Sequence, residues 1–244
     1  MKITTYTKEE QSYNEFNGGE IQENQPIGFP QDGGKQRAFS NLFYWTHAWT
    51  EEGGTIALHP HKGFEIISFV LKGKIEHFDT ANKKWNPLTA GDIQIIRAGN
   101  GISHSEKLLP KSEIFQIWLD PDLSQSLKKT PSYNDYKAET FPIHQENGMS
   151  VKTFKGDGSP LCMDTDIIVK EFFLEPGQYT LKTEGERISS FYLIEGNLSL
   201  ENAELKKDGF AIIEETEEIP VTVYQKSKLF LIECPVETGY ETYA

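Results

Sequence analysis

Only two cysteines, Cys162 and Cys234, occur in the 244 residues, and neither has a partner at CxxC or zinc-site spacing. Two thiols cannot build the disulfide framework of a small secreted domain, so they read as reduced and buried in a cytoplasmic protein. Positive charge is also scarce: 24 Lys and Arg against 37 Asp and Glu give a formal net charge of −13. A field of that sign repels phosphate backbones and anionic lipid, and no Lys/Arg-rich run interrupts it. Direct nucleic-acid and membrane partners are therefore not expected. No apolar run approaches the length that crosses a bilayer, and MKITTYTKEEQSYNEF lacks the apolar segment of a secretory leader. GxSxG, a P-loop and GxGxxG after a strand are all missing, which removes support for hydrolase, NTPase and nicotinamide-enzyme readings.

What is present is β chemistry. AFSNLFYWTHAW, TIALHPH, FEIISFVLKGKIEHFD, DIQIIRAG and EIFQIWLD are short runs rich in Ile, Val, Phe, Trp and Thr, separated by EEGG, ANKKWNP, AGD and NG. Repeated at this spacing they predict an all-β sandwich or barrel. Residues 1–37, polar and marked by the pairs Gly18-Gly19 and Gly33-Gly34, read as an irregular arm. The first domain is expected over 1–122, arm included. A polar connector over 123–148 holds Pro131 and Pro142, with room for a short helix at Leu123–Lys128. A second β-rich domain follows over 149–244. The halves look alike: Phe69-Val-Leu-Lys-Gly73 answers to Tyr192-Leu-Ile-Glu-Gly196, an offset of 123 that sets Lys182 against His59 and Glu184 against His61. No histidine follows His144, so a metal site in the first half has no counterpart in the second.

The chemistry concentrates in HPHKGFE (59–65) and GNGISHSE (99–106). On a strand, residues i and i+2 share a face, so His59 projects with His61, and His104 with Glu106. Three imidazoles and a carboxylate suit Fe, Mn, Ni, Cu or Zn better than Mg or Ca, which take all-oxygen shells. An isolated HxH is more often a pair of ordinary surface residues; an HxH joined by an independent HxE, each beside a glycine-rich turn, is the stronger signal. Glu65, four residues after His61, competes with Glu106 as the carboxylate. His77 in KIEHFD is a further candidate for lining the site, though a hydrogen-bonded strand histidine is its blander reading. His47 and His144 have no partner at ligand spacing and read as ordinary polar residues.

HPHKGFEIISFVLKGKIEHFD together with LTAGDIQIIRAGNGISHSE resembles the signature of the pirin family in the cupin superfamily, densely over residues 56–121. Within that family the likeness is to short bacterial members, some of which act as quercetin 2,3-dioxygenases. The resemblance implies a bicupin, two tandem β-barrels, with one metal in the first. It assigns the ligands to His59, His61, His104 and Glu106, preferring Glu106 to Glu65. It also implies Fe(II) as the metal, with Mn, Ni, Cu or Zn as alternatives, and a flavonol-like aromatic enol and O₂ as substrates. Oxygen adds across the heterocyclic ring, and two C–C bonds break with loss of carbon monoxide; Glu106 is the candidate catalytic base for the enol proton. The alternative is a metal-binding, redox-sensing or regulatory protein that acts through a protein partner. The sequence departs from the family in the stretch QPIGFPQDGG, at Lys62 and at Asn100, which leaves the pocket entrance and the substrate open.

Overall fold

The apolar runs pair as antiparallel strands in a computed structural model that describes residues 1–184 and 186–243. Strands account for 60% of the chain and helix for 5%, so the all-β expectation holds, and the architecture is a two-domain cupin. Contacts divide the chain into two units, each described by itself.

One unit comprises Gln11–Ala138, Cys162–Thr165 and Thr238–Ala244. Its larger sheet runs, in spatial order, Ser132–Tyr136, Ile93–Arg97, Glu65–Lys72, Ser112–Leu119, Leu42–Thr50, Ile21–Ile27 and Ser12–Phe16. The smaller sheet runs Gly54–His61, Ile102–Leu108, Lys74–Asp79 and Trp85–Thr89. A buried cluster joins the two faces: Ile21, Val70 and Ile114 from the larger sheet meet Ile75, Leu88 and Leu108 from the smaller. Each fully buried side chain of this kind contributes about 1.5–3 kcal/mol, so the cluster fixes which faces look inward. The short helix is Leu123–Ser126, capped by the Asp122 side chain, which accepts from the Ser124 N–H at 2.9 Å.

The other unit comprises Met1–Glu10, Glu139–Leu161 and Asp166–Glu237. Two long bent strands, Arg187–Leu200 and Glu218–Pro235, carry most of its pairing. Its interior is filled by Leu181, Phe191, Leu193, Ile219, Val221 and Leu231. Gly196 here and Gly73 in the first unit have φ of +100° and +73°. A Cβ at either would strike the hydroxyl of a serine across the sheet, Ser227 and Ser112 respectively. The duplication thus extends to a paired serine.

The amino-terminal 37 residues are not irregular. Lys2–Tyr6, Ser12–Phe16 and Ile21–Ile27 are strands. The first pairs with Phe210–Glu214, and Ile3 packs on the second unit's core, so residues 1–10 group with that unit rather than with the 1–122 domain expected. The connector is likewise divided, with 139–148 in the second unit and 123–138 in the first. Ile21–Ile27 escaped notice because IQENQPI carries buried amides and a carboxylate where a strand ordinarily carries apolar residues. Pro26, which has no N–H to give, falls where the pairing with Leu42–Thr50 slips between Asn24 and Ile27.

Candidate metal centre

Along Ile102–Leu108 the even-numbered residues Ile102, His104, Glu106 and Leu108 form one inward row, and Lys107 is exposed. A polar pair thus sits inside an otherwise apolar file. The neighbouring strand Gly54–His61 achieves the same by a bulge. His104 pairs with His59 and Glu106 with Ile56, so an extra residue is inserted at Ala57–Leu58. Ile56, on the apolar cluster, and His59 are three positions apart and would face opposite ways in a regular strand; the bulge turns both inward.

Three imidazole nitrogens converge as a result. His104 Nε2 lies 2.9 Å from His59 Nε2 and 3.0 Å from His61 Nε2. His59 Nδ1 is 2.8 Å from the Ala57 carbonyl, to which it donates, so its Nε2 lone pair points at the other two rings. Burial first, then the neighbouring imidazoles, depress the His61 ring to a pKa of about 3. Burial and then His59 depress His104 to about 2. Neutral rings with converging lone pairs are what a transition metal requires. The ligand atoms of the three rings lie within 4.8 Å of one another, close enough to share one ion.

Glu106 is wholly buried and held by three donors. Gln116 Nε2 donates to Oε2 at 2.6 Å, while Gln94 Nε2 and Ser68 Oγ donate to Oε1 at 3.0 and 3.2 Å. It groups most closely with His104 and His77, and His59, His61 and His104 make the other cluster, so His104 is shared. His77 has no exposed surface; its Nε2 lies 3.2 Å from Asp79 Oδ2 and its ring stacks on Tyr133 at 4.4 Å and 8°. Burial lowers its pKa. Buried Nδ1 atoms of both His77 and His104 have no hydrogen-bond partner.

The remaining candidates lie elsewhere. Glu65 accepts from the Asp164 N–H at 2.7 Å and the Thr165 N–H at 2.8 Å, and Arg97 Nε stands 3.8 Å away. It ties down the Cys162–Thr165 segment. His47 faces Glu113 at 3.5 Å, and His144 is exposed beside Glu146. Sequence reasoning missed Gln94, Gln116, Ser68 and Asp79. Two of them did leave a signal, a single amide in each of the apolar runs DIQIIR and EIFQIW.

A cavity of about 460 Å³ opens beside His59 and Glu106. Phe16, Phe29, Tyr44 and Trp118 form aromatic walls, and Glu23, Gln25 and Gln116 provide polar ones. Trp118 packs edge-on to the His61 ring at 4.8 Å and 77°. Its volume lies within the about 300–1,000 Å³ typical of small-molecule sites.

The Pirin family model matches residues 21–119, which include all four candidate ligands. Pirin-1 of Arabidopsis thaliana is 35% identical over 147 residues, 57% of this chain and 50% of that protein, so the chain spans about half the length of that relative. A pirin-like protein of Caulobacter vibrioides is 31% identical over 182 residues, 72% of this chain and 75% of the other. A protein of Escherichia coli K12 named quercetin 2,3-dioxygenase is 29% identical over 189 residues, 76% of this chain and 78% of its own. Among solved structures, the E. coli pirin YhhW in complex with nickel(II) has a TM-score of 0.77 at 23% identity, covering 96% of this chain and 99% of that one. The HxH and HxE pairs, the barrel that gathers them, and the match across three quarters of a bacterial relative together make this chain a member of the pirin family.

Proposed function

We propose that this chain is a metal-dependent dioxygenase that opens a flavonol or a related aromatic enol with O₂. The observation that carries the reading is the aromatic-walled cavity, large enough for such a ligand and bounded at one end by His59 and Glu106. His59, His61 and His104 would hold the metal with Glu106, a donor set that suits a first-row transition ion. Fe(II) is the choice for oxygen chemistry. When bound, such a metal supplies the redox and Lewis-acid chemistry that O₂ and an enolate need.

The chain's own groups perform the remaining work. Phe16, Phe29, Tyr44 and Trp118 give a flat ligand apolar faces and keep water from them. Glu106 would take the enol proton only on transient release from the metal, since Gln116, Gln94 and Ser68 already fill three of its about four acceptor sites. His61 and His104, neutral well below physiological pH, do not compete for that proton.

The test is oxygen uptake by protein reconstituted anaerobically with Fe(II), with and without quercetin, beside a His59→Ala/His104→Ala control. Flavonol-dependent uptake that the control loses supports the reading. Absence of uptake by a parent that demonstrably binds metal turns the assignment to a regulatory protein acting through a partner. A Glu106→Gln variant that retains both metal and full turnover rules out the base role.

A further inference from the structure

The cavity beside the metal centre has an unusual charge. Glu23, Asp32 and Glu106 line it, and none of its lining residues is Lys or Arg. Glu23 lies on Ile21–Ile27, the strand that passes into QPIGFPQDGG, where the sequence departs from its family. Its side chain is 2% exposed and makes no ion pair among the described residues. A buried carboxylate without a cation is costly unless donors surround it.

Donors do surround it. Asn14 Nδ2 and Gln25 Nε2 donate to Oε1 at 3.0 and 2.7 Å, and Thr46 Oγ1 donates to Oε2 at 3.0 Å. The fourth is weaker: the Tyr44 hydroxyl is shared between the two oxygens at 3.3 and 3.4 Å. Burial and then Glu23 push the Tyr44 phenol well above its ordinary pKa, so it stays a donor. A carboxylate has about four acceptor sites, and the one served by Tyr44 is the one left loosely filled. The cavity wall therefore carries a fixed, negatively charged acceptor whose fourth site is served only by the long Tyr44 contacts.

We infer that Glu23 selects the substrate, accepting a hydrogen bond from a hydroxyl on the ring of an uncharged aromatic ligand and excluding carboxylate-bearing ligands. This rests on the dioxygenase reading and adds its specificity determinant. Glu106 would be neutralised by the metal it helps hold, so repulsion from Glu23 and Asp32, with no Lys or Arg in the lining to offset it, is what works against an anionic ligand tail on that wall. A site built to accept from a hydroxyl discriminates against the analogue lacking it, because the acceptor then keeps only the long Tyr44 contacts of 3.3 and 3.4 Å.

Three flavonols that differ only in the pendant ring test this: quercetin with two hydroxyls there, kaempferol with one, galangin with none. With metal-loaded protein, kcat/KM is expected to fall from quercetin to galangin by at least about tenfold, the size of one hydrogen bond to a charged group. Glu23→Gln is expected to shrink that ratio to about twofold. Tyr44→Phe, which keeps the carboxylate but removes the hydroxyl that shares it, is expected to increase quercetin's advantage. A quercetin-to-galangin ratio that survives Glu23→Gln overturns the inference. If Glu23→Gln does not fold, a ratio unchanged or lowered by Tyr44→Phe does the same. Anaerobic calorimetric titration of the same ligands, with 4-hydroxybenzoate as the anionic probe, separates the two proposals, since binding needs no turnover. Hydroxyl-dependent binding without oxygen uptake supports Glu23 and removes the dioxygenase reading. Tighter binding of 4-hydroxybenzoate than of quercetin overturns the inference.

Discussion

Replacing Gln116 by leucine removes one of the three donors that hold Glu106 while keeping the side chain's size. The lost bond is short, 2.6 Å from Gln116 Nε2 to Glu106 Oε2, and its acceptor is wholly buried. Hydrogen bonds to charged groups contribute about 1.5–3 kcal/mol. Loss of a group that orients a metal ligand typically lowers affinity by about 10- to 100-fold, or about 1.4–2.7 kcal/mol. The two ranges coincide, so Gln116→Leu is expected to weaken metal binding by one to two orders of magnitude. Gln94→Leu should have a smaller effect, because Oε1 keeps the Ser68 hydroxyl at 3.2 Å. Gln116 Oε1 also accepts from Trp118 Nε1 at 2.9 Å, but Trp118 is only half-buried and water can replace that partner. Anaerobic competition with a chromophoric chelator measures the affinity. Thermal melting of the metal-free protein separates a loss of affinity from a loss of fold. Affinity within about twofold of the parent for both folded variants, well short of the usual outer-shell effect, would refute the argument that Glu106 is held for a metal.

Gly196→Ala forces a side chain into a left-handed backbone, with its Cβ 2.6 Å from the Lys226 carbonyl and against the Ser227 hydroxyl. Thermal unfolding should show a loss of about 2–4 kcal/mol, more than backbone strain alone would cost. The hydrogen bond and charge of His47, with help from Lys72, hold the Glu113 carboxyl at about 2, below its ordinary 4.5. A depressed carboxyl adds stability above the unfolded value and loses it as pH falls through the folded one. The melting temperature of the parent should therefore exceed that of Glu113→Gln at pH 6, and the gap should close between pH 4.5 and 2. Of the two thiols, Cys162 is exposed and Cys234 wholly buried, its pKa pushed up by burial. A thiol-specific chromogenic reagent should label one sulfur in the native protein and the second only on unfolding; two rapid equivalents would contradict the fold of that strand.

The strands that carry the histidine cluster were legible because strand periodicity puts i and i+2 on one face, and His59 with His61, like His104 with Glu106, follows it. The bulge that reconciles Ile56 with His59 was not, since an inserted residue leaves no compositional mark in TIALHPH. Glu65 and Glu106 had equal standing by spacing. The family resemblance already preferred Glu106, and the fold supplies the physical reason: Asp164 and Thr165, a hundred residues along the chain, claim Glu65. Ile21–Ile27 was hidden by its own chemistry: buried polar side chains that satisfy one another look, in sequence, like a loop. The apolar interior of the second unit rests on residues drawn from many strands, which no single run of the sequence displays.

The two units exchange chain ends. The first strand belongs with the carboxy-terminal unit, and Thr238–Ala244 belongs with the amino-terminal one, where the Tyr243 N–H donates to Asp120 and the Tyr240 hydroxyl to the Asp120 carbonyl. During synthesis, then, the unit that carries the histidine cluster cannot gather all its parts until residues 238–243 have emerged. The other must wait, with its first strand already made, for a partner some two hundred residues downstream. A cut in the connector would leave Phe210–Glu214 as a bare sheet edge on one fragment and strip Asp120 of its tail on the other. Such fragments should associate when made together and aggregate when made apart.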